Sequence, residues 1–254
     1  MIGCGKMGGA LLEQWRIGRD QFTICDPALD AAPEGVELVK GPGELEGRAF
    51  DVAVVAVKPQ MIEQVMGDYI PLLTPSAYLL SIAAGFSIGR LEALSGGRPV
   101  IRVMPNLPAA IGRGVSGICA SAEVDRAALA HATALMGLAG TVIEVPDEDA
   151  LDRFTAVAGS GPGYVFELAR AYVEAAKGLG FSHDEARRMV IATLEGTLAM
   201  ASSSDEPLES LRNSVTSKGG TTAAGLAALN GEGELDRLLA STLTSAYERA
   251  VELR

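Results

Sequence analysis

Histidine is scarce in this chain. Its 254 residues include two, His131 and His183, far apart in sequence. Cysteine is nearly as rare: Cys4, Cys25 and Cys119 have spacings that match no metal-binding or redox pair. A zinc site and histidine-driven acid–base chemistry are therefore not expected. Positive charge is short as well, with 21 Lys and Arg against 32 Asp and Glu and a formal net charge of -11. Nucleic acids and anionic membranes attract basic surfaces, so neither is an expected partner. A small anion is not excluded, because local N–H groups can outweigh a global negative field. Apolar stretches such as 52–57 are far too short to span a bilayer. No basic segment followed by an apolar run marks a signal peptide, and the cytoplasm is the expected location.

Hydrophobic residues make up 48% and charged residues 21%, a balance that buries a core. The length suits one large domain or two modest ones. Segments 22–26, 51–59, 78–85, 98–106, 114–121 and 141–146 read as buried strands. Segments 6–16, 60–68, 87–95 and 123–137 have helical spacing. Near-continuous apolar strands separated by helices predict a parallel sheet covered on both faces. After Pro146 the texture becomes helical: 163–179 ended by Gly180, a helix from a Ser182/Glu185 capping box to about Ala201, a short helix near Pro207, another after the paired glycines, and 234–253. Pro162 and Ser160 in GSGPGY read as a helix start and a cap. The expected fold is an α/β Rossmann-type domain over 1–146 followed by an all-helical domain over 147–254. The stripe Val165, Phe166, Leu168, Ala169, Tyr172, Val173 and Ala176 is broad enough to suggest an interlocked dimer.

Gly3, Gly5 and Gly8 form G-x-G-x-x-G, a turn that lets backbone approach a pyrophosphate at a helix start. Lys6 and Met7 sit in that turn, expected toward the pyrophosphate and nicotinamide side. Asp26 ends the next strand about twenty residues on, where a carboxylate binds a ribose hydroxyl. It favours NAD(H) by repelling a 2′-phosphate; Arg19 and Lys40 are the nearby cations that could offset it. Lys58 and Pro59, and Met104, Pro105 and Asn106, end further strands at the edge where ligands bind. Lys58 either pairs with the cofactor or solvates the strand end. Asn106 either holds the nicotinamide carboxamide or fixes its own loop. Only Met1 and Ile2 precede Gly3, so the first strand is expected to be truncated, through a late start or a shortened chain, with its apolar neighbours exposed.

Residues 209–230, ESLRNSVTSKGGTTAAGLAALN, carry the second site. A Gly-Gly turn opening a helix gathers unpaired N–H groups where a carboxylate can sit. Gly219 and Gly220 are the expected donors, with Ser217 and Thr221 beside them. A dinucleotide turn and an anion cradle together suggest a reductase of a small acid.

Several strings resemble the pyrroline-5-carboxylate reductase family: IGCGKMGGALL (2–12), VAVKPQ (55–60), RVMPNLPAAIGRG (102–114), FTAVAGSGPGYVFELARAYVEAA (154–176) and LRNSVTSKGGTTAAGLAAL (211–229). They follow the family's order and cover essentially the whole chain. The resemblance implies reduction of the cyclic imine L-1-pyrroline-5-carboxylate to L-proline by NADPH or NADH, the last step of proline biosynthesis. It also implies a Rossmann domain, a helical dimerisation domain, and dimers that often assemble further, commonly into decamers. It places backbone around Val57–Pro59 on the cofactor and active sites between a cofactor domain and helices of the dimer. Thr222 matches the family's hydroxyl after the glycine pair, expected to contact the ring nitrogen as the catalytic residue. Lys218 stands where the family usually has proline; it either helps hold the carboxylate or points to solvent. Asn230 replaces a common acid and Gly163 a common alanine.

A protonated C=N bond accepts hydride directly, so the scarcity of histidine suits this reaction better than oxidation of an alcohol. Two alternatives stand beside it. A β-hydroxyacid or imine dehydrogenase would want a lysine on the interdomain helix, where only the late Lys177 is present. A non-catalytic dinucleotide-sensing dimer would not need SVTSKGGTT.

Overall fold

A computed structural model describes all 254 residues. The chain divides into two compact units, Met1–Pro162 with Ser245–Arg254, and Gly163–Thr244.

The first unit is built on strands β1 (Thr23–Cys25), β2 (Glu37–Val39), β3 (Phe50–Val55), β4 (Leu73–Ser81), β5 (Val100–Met104), β6 (Gly114–Ala120) and β7 (Gly140–Glu144). Strands β3 to β7 are neighbours in chain order, and β1 pairs with β2. Helices α1 (Lys6–Trp15), α2 (Pro59–Tyr69), α3 (Ile88–Ser95) and α4 (Arg126–Gly137) connect them. Side-chain alternation divides the core. Val54, Leu80, Ile101 and Val103 face Leu11 and Trp15 of α1 and Met136 of α4. Ala53, Val55, Leu79 and Val100 face Ile62 and Met66 of α2 and Leu91 of α3. Period-2 alternation with apolar residues on both sides is what a sheet covered on both faces requires.

Ile2 joins the two strand groups. It forms parallel bridges to both Cys25 and Val55. Its N–H donates to Val54 O at 2.8 Å and its carbonyl accepts from Ala56 N at 2.9 Å. On the other side Cys25 N donates to Met1 O and Gly3 N to Cys25 O, both at 2.9 Å. Two residues thus stand in the central strand position. The Met1 amino group donates to Thr23 O at 2.7 Å. Burial holds its pKa down at about 6. Below it a cavity of about 1060 Å³ opens among Thr23, Phe50, Tyr78 and His131. The expected exposure of apolar neighbours is only partial: Val54 and Tyr78 stay buried, whereas Phe22 and Val52 are half-buried.

The sheet is not all-parallel as expected. β6 runs antiparallel to β5, with Arg102 opposite Cys119, and β7 is parallel to β6. Between Met104 and Gly114 lies only a 3-10 turn, Leu107–Ile111. Parallel neighbours need a crossover that this connection does not contain. Strand β2 also went unread, because its three residues lie in a polar, turn-rich stretch.

Beyond β7 the chain is helical: α5 (Glu148–Phe154), a π-helical turn (Thr155–Gly159), α6 (Gly161–Gly178), α7 (His183–Ser202), α8 (Leu208–Ser214), α9 (Thr221–Asn230) and α10 (Glu234–Leu253). The capping box is present, Ser182 Oγ accepting from Glu185 N while Glu185 accepts from Ser182 N at 3.0 Å. Ser160, read as a cap, caps the π-helical turn that precedes α6, its backbone N–H donating to Thr155 O at 2.8 Å. The second unit has a small core of Val173, Ala176, Ala186 and Val190. Of the broad stripe on α6 only Ala169, Val173 and Ala176 are buried, and Phe166 is 62% exposed. No helix is long and apolar enough to cross a membrane.

Ile2 is 3% exposed and holds both strand groups. Ile2→Ala should cost about 2–5 kcal/mol in urea unfolding. The same change at Ile17, 72% exposed, should stay within about 0.5 kcal/mol. Equal effects would contradict the stitching role.

Candidate active site

Ile2, β1, β3, β4 and β5 run parallel, so their carboxyl ends share one edge of the sheet. The Gly3 turn, Asp26, Val57–Pro59 and Met104–Asn106 all follow those ends. The structure therefore gathers the expected cofactor residues along one edge of the first unit.

The glycine turn is sterically tight. Gly3 has φ +77°, and a Cβ there would lie 2.6 Å from Val57 Cγ1. Gly5 caps α1 without a side-chain partner, and a Cβ there would meet nothing within 4 Å. The helix start leaves the N–H groups of Lys6, Met7 and Gly8 without intrahelical acceptors. Lys6 is exposed, and Met7 is half-buried against the core beneath α1. Asp26 is fixed by two backbone donors: Cys4 N to Oδ2 at 2.8 Å and Ala28 N to Oδ1 at 2.9 Å. Its carboxylate thereby ties the glycine turn to the loop after β1. Neither nearby cation offsets it. Arg19 lines the large cavity at the amino ends of β1 and β3, and the Lys40 ammonium donates to Leu29 O. Burial, then the Asp26 carboxylate, pushes the Cys4 thiol up, so it is no thiolate nucleophile.

Lys58 is exposed at the start of α2, with Pro59 in the first turn. Asn106 is 6% exposed, donating from Nδ2 to Ala158 O at 3.0 Å and accepting from Val115 N at 2.8 Å. Of its two expected roles, the geometry displays loop fixing. Sequence reasoning missed the groups beneath this edge. Arg102, 2% exposed on β5, pairs with Glu148, which also accepts from Ile88 N at 2.9 Å. The signal was an arginine inside an apolar strand, which demands a buried partner.

In the second unit, Ser217–Gly220 forms a β-turn closed by Gly220 N to Ser217 O at 3.0 Å. Gly219 has φ +73° and no other residue type takes positive φ, so the turn is type II with Lys218 at its second position. That position favours proline, which explains physically why lysine is a departure. A Cβ on Gly220 would sit 2.3 Å from Ser217 Oγ. The Gly220 N–H, expected to meet substrate, is instead engaged inside the turn. The first helical N–H groups of α9, at Thr221, Thr222 and Ala223, lack intrahelical acceptors and can serve an anion. Thr221 and Thr222 are exposed. Lys218 is exposed as well.

The comparisons with known proteins decide the family. Residues 148–253 match the family model described as pyrroline-5-carboxylate reductase dimerisation. Pyrroline-5-carboxylate reductase of Pseudomonas aeruginosa is 37% identical over 262 residues, 99% of this chain and 95% of the relative. The chain belongs to the pyrroline-5-carboxylate reductase family. A solved reductase of this name from Coxiella burnetii aligns with TM-score 0.90 and 31% identity over 99% of this chain and 96% of that one. The Plasmodium falciparum enzyme, solved with NADP bound, aligns with TM-score 0.86 and 26% identity over 99% and 96%. The chain is thus a member of an oxidoreductase family, with a Rossmann-like α/β unit and helices that match a dimerisation model.

Gly5→Ala separates binding from folding. With open space around it, the variant should lose no more than about 1 kcal/mol of stability. It should bind NADH at least about tenfold more weakly, since the methyl occupies the pyrophosphate approach. Fluorescence titration with unfolding curves checks both, and unchanged affinity would put the dinucleotide elsewhere.

Proposed function

We propose that this chain reduces L-1-pyrroline-5-carboxylate to L-proline by hydride transfer from a reduced nicotinamide dinucleotide. The observation that carries the reading is the pairing of two built features in one chain: a glycine turn tied by Asp26, and the Ser217–Gly220 turn opening α9 beside free threonine hydroxyls. Membership of the reductase family supports it.

The substrate brings its own electrophile. Its imine nitrogen takes a proton from water near neutral pH, and the iminium carbon then accepts hydride. The bound dinucleotide supplies that hydride. This chain's residues bind and orient. The N–H groups of Thr221, Thr222 and Ala223 receive the carboxylate, with Gly219 and Ser217 shaping the turn around it. The Thr222 hydroxyl hydrogen-bonds the ring nitrogen and holds it as the imine becomes an amine. Threonine is too weak an acid for full proton donation, so its contribution is orientation. Asp26 accepts from the adenosine ribose, and with Arg19 on the cavity at the amino ends of the strands and Lys40 donating to Leu29 O it favours NADH over NADPH. The exposed α6 face is covered by a second copy of the chain, in keeping with the dimerisation match.

The direct assay is oxidation of NADH and NADPH by pyrroline-5-carboxylate, with proline quantified. NADH should show the higher kcat/KM and proline should form in equal amount; oxidation without proline would refute the assignment. Thr222→Val should lower kcat about ten- to a hundredfold, the cost of a lost substrate hydrogen bond in a desolvated site. Thr222→Ser should restore most of it. If valine matched wild type, the hydroxyl would have no part in the reaction.

A further inference from the structure

The last turn of α10 meets the edge that carries the dinucleotide site. The ten residues from Ser245 count with the first unit, although α10 begins in the second. Three contacts hold them. Tyr247 Oη donates to Asp149 Oδ1 at 2.6 Å. Arg254 Nη1 lies 3.1 Å from Asp152 Oδ2. The Leu253 carbonyl abuts Gly85 so closely that a Cβ there would be 2.5 Å from the oxygen. Gly85 also has φ +69°, so its backbone shape and this approach both require glycine.

Gly85 lies between β4 and α3, on a loop at the carboxyl ends of the parallel strands. The glycine turn and Val57–Pro59 leave the sheet at the same edge. The loop is pinned at its start by Ala83 N to Ser81 Oγ at 3.3 Å, and at its far end by Ile88 N to Glu148. Between these pins Phe86 is buried and Ala84 is exposed. The Leu253 carbonyl lies directly against the backbone of Gly85.

Leu253 in turn depends on Arg254. Helix ends fray, and the side chain of Leu253 is half in solvent. Arg249 pairs only with Glu252 on the exposed side. Asp152 has 6% side-chain exposure and Arg254 30%; the contact is an ion pair by proximity, with no hydrogen bond to Oδ2, and burial pushes the Asp152 carboxyl up while Arg254 draws it down. Arg102, the other cation near Asp152, is already committed to Glu148. A cation just beyond the last turn also complements the helix dipole.

We propose that Arg254 is a positioning residue for the cofactor edge: its pair with Asp152 holds Leu253 against Gly85 and so fixes the loop that borders the dinucleotide. The identity of the ligand at that edge rests on the reductase reading. The position of the loop in the free protein does not.

The test uses the full-length protein with Arg254→Ala, Arg254→Lys and Asp152→Asn. Hydrogen exchange at the bonded amides of Ala83 and Ile88, which bracket Gly85, is read in the free protein, and NADH affinity by fluorescence titration. Arg254→Ala should speed exchange there by about tenfold, the scale for losing a partly desolvated ion pair. It should weaken NADH binding several-fold, raise KM for NADH more than it lowers kcat, and be largely rescued by lysine. Asp152→Asn should reproduce it, and the double variant should add little. Unchanged exchange in Arg254→Ala overturns the proposal, as does faster exchange with unaltered NADH affinity. Failure of the wild-type protein to bind NADH would instead sink the reductase reading, while exchange still decides whether Arg254 fixes the loop.

Discussion

The hydrogen bonds of Ile2 set the geometry of this molecule. Buried backbone donors and acceptors must be paired, and a central strand position has two neighbours to satisfy. The segment 1–3 satisfies both: Ile2 bonds Val54 and Ala56 on one side, while Met1 and Gly3 serve Cys25 on the other. Because Ile2 is locked between β1 and β3, the glycine turn that follows emerges at a fixed height. Asp26 and Val57 emerge beside it from the flanking strands. The steric fit of Gly3 to Val57 and the bond from Cys4 N to Asp26 follow from that register. The proposed dinucleotide site is thus a consequence of strand pairing rather than of loop chemistry.

An acidic chain handling the acidic substrate proposed above is consistent with this construction. Net charge acts over the whole surface and is screened by salt, whereas helix-start N–H groups act over one hydrogen bond. The turn before α9 therefore needs no arginine. The proposed reaction needs little acid–base machinery either, since its iminium arises in water. Side chains that titrate near neutrality can be few, and the buried thiols of Cys4 and Cys119 are pushed upward by burial and remain inert.

Much of this was legible in the sequence because local rules agreed with the global fold. G-x-G-x-x-G before a helix, the Ser182/Glu185 capping box and the span of α10 each carry short-range signals that tertiary packing did not override. The family strings added what periodicity could not: membership of the reductase family, which the comparisons bear out. What stayed hidden is non-local. The reversal at β6 depends on a connection too short for a crossover. The pairing of Arg102 with Glu148 joins residues distant in the chain, and so does the bond between Asn106 and Ala158. The engagement of the Gly220 N–H was missed for a different reason: a Gly-Gly pair announces a tight turn without saying which N–H closes it. The domain texture changed at Pro146 in sequence, while the compact units divide at Pro162 and return the last turns of α10 to the first unit. Composition marks where strands stop, and contacts mark where packing changes.

The central claim is that hydride passes from the dinucleotide at the glycine turn to the imine carbon of a carboxylate-bearing ring. Isotope transfer tests it most directly. NADH deuterated at the transferable position of the nicotinamide is supplied with pyrroline-5-carboxylate, and the product is examined by mass spectrometry and NMR. The account predicts proline carrying one deuterium, on the ring carbon that formed the imine, with one stereochemistry. Unlabelled proline, or label scrambled over both faces of that carbon, would contradict it.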